Sequence, residues 1–149
     1  MKKYIALILL FFVVSALACG CTNGEFKKAD DTAAGYIEAL LVRNEDGMKN
    51  FIHPDYKSEA IPNDDFYKSL EDQFLPIGNK LDALEAGEKN YVENTDIEGT
   101  VLQCKYIIRA NELFYNVELM IVDNDNGYGV AAVSMEINFD YLTALTPEE

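Results

Sequence analysis

The chain has 149 residues, 49% of them apolar, with 12 Lys and Arg against 26 Asp and Glu and a formal charge of −14. That length suits one domain with a core of ordinary size and is too short for two. The charge excludes a general nucleic-acid binder, which needs a basic stripe to displace counterions from phosphates, and it disfavours adsorption to an anionic membrane surface.

The N-terminus reads as an address. Lys2 and Lys3 precede an unbroken apolar run from Ile5 to Val14, and Ser15 to Cys21 then supply small residues and two thiols. The run is shorter than the ~20 residues a membrane-spanning helix needs, and its flanks are those of a secretory signal. Ala16-Leu17-Ala18-Cys19 resembles the lipobox of bacterial lipoproteins, in which small residues precede a cysteine that is diacylated and becomes the mature N-terminus. Ala18-Cys19-Gly20-Cys21 is a second frame. The resemblance implies a signal peptide over 1–18, lipid on Cys19 (alternatively Cys21), and a lipidated end with a short tether over 19–29. Two or three acyl chains anchor stably where one is marginal. Residues 22–29 reach at most ~29 Å at ~3.6 Å per residue, so the domain is held close to the membrane. The segment before Cys19 holds two lysines and no acid, which leaves 10 basic and 26 acidic groups after it.

Asp30-Asp31-Thr32 reads as a helix start, with acids at the positive end of the dipole, and Ala33, Ile37, Leu40 and Leu41 follow on one face. After a polar break from Arg43 to Gly47, Met48, Phe51 and Ile52 predict a short second helix that stops before Pro54. Asn63-Asp64-Asp65 caps a third helix carrying Phe66, Leu70 and Phe74, closed by Pro76 and Gly78.

Beyond Gly78 the period changes to two. Weak strands are expected over 80–86 and 89–94, separated by Gly87, and clearer ones over 100–110, 113–123 and 128–139. Leu102, Cys104, Tyr106 and Ile108 share a face, as do Leu113, Tyr115, Val117, Leu119 and Ile121, and then Ala131, Val133, Met135, Ile137 and Phe139. Asn126-Gly127 is a type I′ hairpin signal. Residues 143–149 read as a frayed acidic tail. Helices followed by a meander give a single α+β domain over 30–142, with the helices covering one sheet face.

That order of elements resembles the nuclear-transport-factor-2-like cone of the cystatin-like superfamily, in which N-terminal helices pack into a bent antiparallel sheet. The resemblance covers residues about 30 to 139. It is carried by Ala34-Gly35-Tyr36-Ile37-Glu38-Ala39-Leu40, by Met48-Lys49-Asn50-Phe51-Ile52-His53-Pro54-Asp55-Tyr56, and by the hairpin from Leu113 to Ile137. The middle segment is similar to small lipoproteins of this fold from Gram-positive bacteria. It implies an extracytoplasmic, lipid-anchored location. The fold hosts isomerases, dehydratases, transport factors and interaction modules, so it does not choose a function.

Enzymes on such cones use a His–Asp or Asp–Tyr pair in the interior. Here the single histidine, His53, lies before Pro54 on a connecting loop, which makes a His53–Asp55 dyad unattractive. Tyr36, Tyr106 and Tyr115 have the parity to line an interior pocket, but no acid on the strands of Tyr106 and Tyr115 faces the same way. Cys104 reads as a small core residue. Asp123-Asn124-Asp125-Asn126-Gly127 opens like a calcium loop and then loses register, with Tyr128 and Ser134 at the sixth and twelfth positions. No metal and no cofactor are expected.

The leading expectation is a non-enzymatic domain that takes a small apolar ligand or an envelope protein. An isomerase, dehydratase or hydrolase using Tyr and a carboxylate is the alternative. The outward-parity residues Phe114, Met120 and Val122 would suit a homodimer, and the acidic surface favours cationic partners.

Overall fold

The computed structural model describes Gly24 and residues 26–57, 59–72, 80–110 and 113–140, with backbone only for Leu70, Glu71 and Asp72. The expected signal peptide, Cys19 and Cys21, Phe74, Pro76, Gly78 and the acidic tail lie outside the described residues. Helix α1 covers 26–41. Ala29, Ala33, Tyr36, Ile37, Leu40 and Leu41 form its buried stripe. The helix therefore starts ahead of Asp30-Asp31-Thr32, because Phe26 and Ala29 carry the apolar stripe back by another turn. Asp31 is not a cap but the partner of Lys27 one turn earlier, and Asp30 is free to reach across to the sheet.

Arg43 ends α1 in the left-handed conformation (φ 51°). Its N–H donates to the Leu40 carbonyl at 3.1 Å, and that of Asn44 donates to the Ala39 carbonyl at 2.8 Å, a Schellman closure without the usual glycine. The Asn44 side chain then caps α2, Glu45–Met48, by accepting from Gly47 N at 2.9 Å.

This helix is shorter than expected and leaves out Phe51 and Ile52. Residue 53 precedes Pro54 and is forced extended (ψ 136°), and the chain from Phe51 to His53 bridges the edge of the sheet at Val130 instead. His53 N donates to Val130 O at 3.0 Å and Val130 N to Phe51 O at 2.8 Å. A 3₁₀ turn, Pro54–Tyr56, follows. Helix α3, Asp64–Asp72, is capped by Asn63, whose Oδ1 accepts from Phe66 N at 2.9 Å.

The four strands, β1 Ala83–Val92, β2 Thr100–Ala110, β3 Leu113–Asn124 and β4 Gly127–Ile137, form an antiparallel meander in sequence order. One face packs on α1. Tyr106, Ile108, Tyr115, Val117 and Leu119 supply its centre. The architecture is mixed α+β, with α1 on one sheet face.

Two bulges shape it. The first lies in β1 between Ala86 and Lys89, opposite Tyr106 and Cys104, so the expected pair of strands split at Gly87 is one strand with an extra residue there. The second lies between Met120 and Ile121 of β3, where Ala131 of β4 is the extra residue. Each bulge inverts the alternation of the strand that carries it. Lys89 and Tyr91 are thereby turned onto the helix-facing side, opposite Cys104 and Leu102. Val130 and Tyr128 likewise replace Ala131 and Gly129 on that side.

Ala131 joins Val101 and Val122 in a small second core on the back of the sheet, covered by Tyr56 and Ile97. Phe139, expected on the core face, lies beyond the end of β4 and is 69% exposed. The hairpin loop is also one residue earlier than expected. Asn124 pairs with Gly127, so Asp125 and Asn126 are its central residues. Among the described residues Arg43 is the only non-glycine with positive φ, so this is not a type I′ turn.

Candidate functional site

The two inverted strand ends and the first turn of α1 enclose a cavity of about 310 Å³. Leu102 and Ile121 line it as apolar floor, with Lys28, Tyr91, Thr100, Asp123 and Tyr128 around them. The Lys28 ammonium stands 3.4 Å from the centroid of the Tyr128 ring, a cation–π contact at close range. Lys28 has no carboxylate at ion-pair distance among the described residues. Phe26 backs Tyr91, with ring centroids 6.3 Å apart. Burial pushes the Tyr128 phenol up to about 12, so it stays neutral. A wider groove along Tyr91–Thr95 and Gly99–Val101 shares Tyr91 and Thr100 with the cavity.

Deeper, between α1 and the sheet, Asp30 accepts from the Tyr106 hydroxyl at 3.1 Å and pairs with Lys89 Nζ at 2.9 Å. Lys89 is only 9% exposed. Its chain also places the ammonium 5.5 Å from the Tyr106 ring centroid. Burial foremost, then the neighbouring Cys104 thiol and Asp30, drives the Tyr106 phenol far up. Cys104 is a free, buried thiol, also raised by burial. The carboxylate beside Tyr106 thus comes from the helix, and the expectation that no acid on the two strands shares the face of Tyr106 and Tyr115 is also corrected, because Asp123 at the end of β3 continues the Tyr115–Ile121 face and lines the cavity. Asp30, Lys89 and Tyr106 are engaged with one another, and none of the three is on the wall of the 310 Å³ cavity. Cys104, held as a thiol, is a core residue rather than a nucleophile.

Tyr36, Tyr106 and Tyr115, the candidate pocket tyrosines, are all buried in the core, at 0%, 1% and 0% exposure, and none is on the wall of the 310 Å³ cavity. Tyr36 donates to the Ala60 carbonyl at 2.7 Å. Burial, followed by Tyr67, raises its phenol. Tyr115 has no partner for its hydroxyl among the described residues, and burial pushes it up to about 12. The tyrosines that do line the cavity are Tyr91 and Tyr128, and reading alternation straight through β1 and β4 points both rings away from it. Gly87, beside the first bulge, was the one local sign of the inversion.

His53 lies on the connecting segment before Pro54, as expected, and is fully buried there. Its Nδ1 accepts from Asp55 N at 3.2 Å, which makes Nε2–H the donor to Asn124 Oδ1 and Gly127 O, each at 3.0 Å. Asn126 Nδ2 donates to Asp55 Oδ2 at 2.9 Å, and Asn124 Nδ2 reaches the same oxygen at 3.4 Å. These bonds hold the Asp55 carboxyl below its usual value, with Asn126 contributing most. The acidic, calcium-like run is therefore a clamp that fastens the 3₁₀ turn to the hairpin. No group of three or more His, Cys, Asp or Glu among the described residues is arranged to hold a metal.

On the back of the sheet, Asn116 and Glu118 separate Phe114 from Met120, and Val122 is covered by the second core. Lys105 lies 3.7 Å from Glu118, which also accepts from Gln103. That face is a mixed polar surface rather than an apolar stripe. No helix among the described residues is long and apolar enough to cross a membrane. Comparison with protein-family models, curated proteins and solved structures gave no match.

Proposed function

We propose that this chain is a lipid-anchored extracytoplasmic protein whose α+β domain, a nuclear-transport-factor-2-like cone, binds a small ligand without transforming it. The observation that carries this reading is the open-ended cavity. It has an apolar floor, an aromatic and charged rim and a volume at the small end of ligand sites, and the polar groups with catalytic potential beside it are engaged with one another. The lipobox-like segment at Cys19, or its second frame at Cys21, supports the anchor. With α1 already formed at residue 26, six residues separate Cys19 from the helix. The cavity therefore lies at the anchored end of the domain.

The test is made on the full chain expressed in a bacterial host. Membrane flotation and the mass of the N-terminal peptide should show acylation that Cys19→Ser abolishes, or Cys21→Ser if the second frame is used. Native mass spectra after incubation with an extract of its own envelope should show a bound small molecule that Tyr128→Leu removes. A chain that stays unacylated ends the anchor reading, and an empty domain ends the binding reading.

A further inference from the structure

The cavity carries a clue to the chemistry of its ligand, because one cation already sits in it. Lys28 places its ammonium 3.4 Å over the Tyr128 ring and has no carboxylate partner among the described residues. Lys28 is an exposed residue, so its ammonium keeps water on one side while the Tyr128 ring quadrupole attracts it on the other. The second ring, Tyr91, is 53% exposed at the entrance. Asp123 stands on the same wall and forms no ion pair among the described residues. Two tyrosine rings, a carboxylate and an apolar floor are what a small organic cation with a short apolar body requires. The surroundings add to this. The groove sharing Tyr91 carries Glu93, and the whole chain bears −14, a field that concentrates cations. An anionic ligand meets only Lys28, and a neutral one leaves Asp123 without purpose.

We propose that the cavity is a site for a small organic ammonium ion, and that Lys28 is an internal stand-in which the ligand displaces from the Tyr128 ring. This rests on the reading of the cavity as a ligand site. When Lys28 swings out, the wall is left with Asp123 as its only charge, and the ligand ammonium takes the vacated ring face. Competition by a tethered lysine weakens the affinity for the ligand, so removing Lys28 should tighten binding, whereas removing most other lining residues should loosen it.

The experiment uses the full chain in a neutral detergent and two probes of the same shape, choline and its uncharged carbon isostere 3,3-dimethyl-1-butanol, followed by NMR titration of tyrosine ring resonances. Choline should bind about two- to five-fold more tightly than the isostere, in the range an exposed cation–π contact supplies. Lys28→Ala should tighten choline several-fold and Asp123→Asn should weaken it several-fold. Lys27→Ala, which removes the adjacent lysine that pairs with Asp31, should change nothing. Circular dichroism on each variant checks that the fold is kept.

Equal binding of the two probes overturns the cation proposal and leaves a plain apolar site. Equal tightening by Lys28→Ala and Lys27→Ala also overturns it, since that is bulk charge rather than a vacated seat. If choline does not bind and the envelope extract yields a non-cationic ligand, the proposal falls while the cavity reading stands. If the extract yields nothing either, both fall.

Discussion

The two halves of the sheet differ in how they relate to the sequence. From Ala83 to Ala86 on β1, and from Val133 to Ile137 on β4, alternation runs in register with the neighbouring strands, and Leu84, Val133, Met135 and Ile137 turn to the core. Past the bulges at Gly87-Glu88 and at Ala131 the same strands are inverted. This inverted half holds the cavity, the Lys89–Asp30 pair and the His53 clamp. The regular half buries hydrocarbon and tolerates misreading poorly. The inverted half presents polar and aromatic groups at positions where simple alternation would put Glu88, Asn90 and glycine. A pair of one-residue insertions is enough to convert the end of a packed sheet into a lined site.

The sharpest way to break the inverted half is at Gly129. A Cβ there would lie 2.5 Å from His53 N and 2.7 Å from both Ile52 C and Phe51 O, all backbone atoms that have no rotamer to yield with. Gly129→Ala should cost about 3 kcal/mol in a denaturant melt, at the top of the usual range for overpacking. It should also free the 51–53 segment, read as faster hydrogen exchange at His53 N and Val130 N. A loss under about 1 kcal/mol would mean that the bridge to β4 is loose and the clamp is not built on close approach.

Next in size is the ion pair that the first bulge creates. Asp30→Asn leaves the nearly buried Lys89 ammonium without its charge partner and should cost about 2 kcal/mol, reduced from the fully buried case because Asp30 is partly exposed. Adding Lys89→Met to Asp30→Asn should restore most of that loss, because a well-packed apolar chain replaces the orphaned charge. If the double variant is as unstable as the single one, the pair matters through Asp30 and Tyr106 alone.

Much of the regular half can be read directly from the sequence. Leu102, Cys104, Tyr106 and Ile108 against Gln103, Lys105 and Arg109 gave β2 its correct faces, because β2 has no bulge of its own and a period of two survives along it. The α1 stripe was equally plain, although its start was masked by the pair Asp30-Asp31, whose acids serve partners on α1 and β1 instead of capping. The candidate site was hidden for a physical reason. Its two tyrosines lie past the bulges of β1 and β4, where the alternation is inverted, and Lys28 lies in a polar stretch that reads as tether until Phe26 and Ala29 are recognised as part of the stripe. The burial of His53 was not legible in the sequence because it depends on contacts with Asn124 and Gly127, more than seventy residues away.

The core tyrosines offer a finer comparison within the regular half. Tyr36→Phe removes a buried hydroxyl that donates to the Ala60 carbonyl and leaves that carbonyl unpaired, so it should cost about 1 kcal/mol. Tyr115→Phe removes a buried hydroxyl that has no partner among the described residues, and should be neutral or slightly stabilising. Thermal melts of the two variants side by side decide the matter. A clear loss for Tyr115→Phe would require a partner for that hydroxyl.

The smallest effect tests the clamp through pH. Asp55 is held below the ordinary carboxylate value, first by the Asn126 side chain and then by Asn124, and Asn126→Ala removes the larger of these. A carboxyl whose folded value is depressed binds its proton more readily in the unfolded chain. Its contribution to stability is therefore present in full above the unfolded value near 3.8 and fades as pH falls through the lower folded value. The Asp55 carboxyl in Asn126→Ala should titrate closer to its ordinary value in a carbon-detected NMR titration, and the gap in stability between the two proteins should narrow as the solution is made acidic. An unchanged Asp55 titration would show that Asn124 or the buried His53 alone holds the carboxyl down, and that the hairpin tip is fastened by one residue fewer than the geometry assigns.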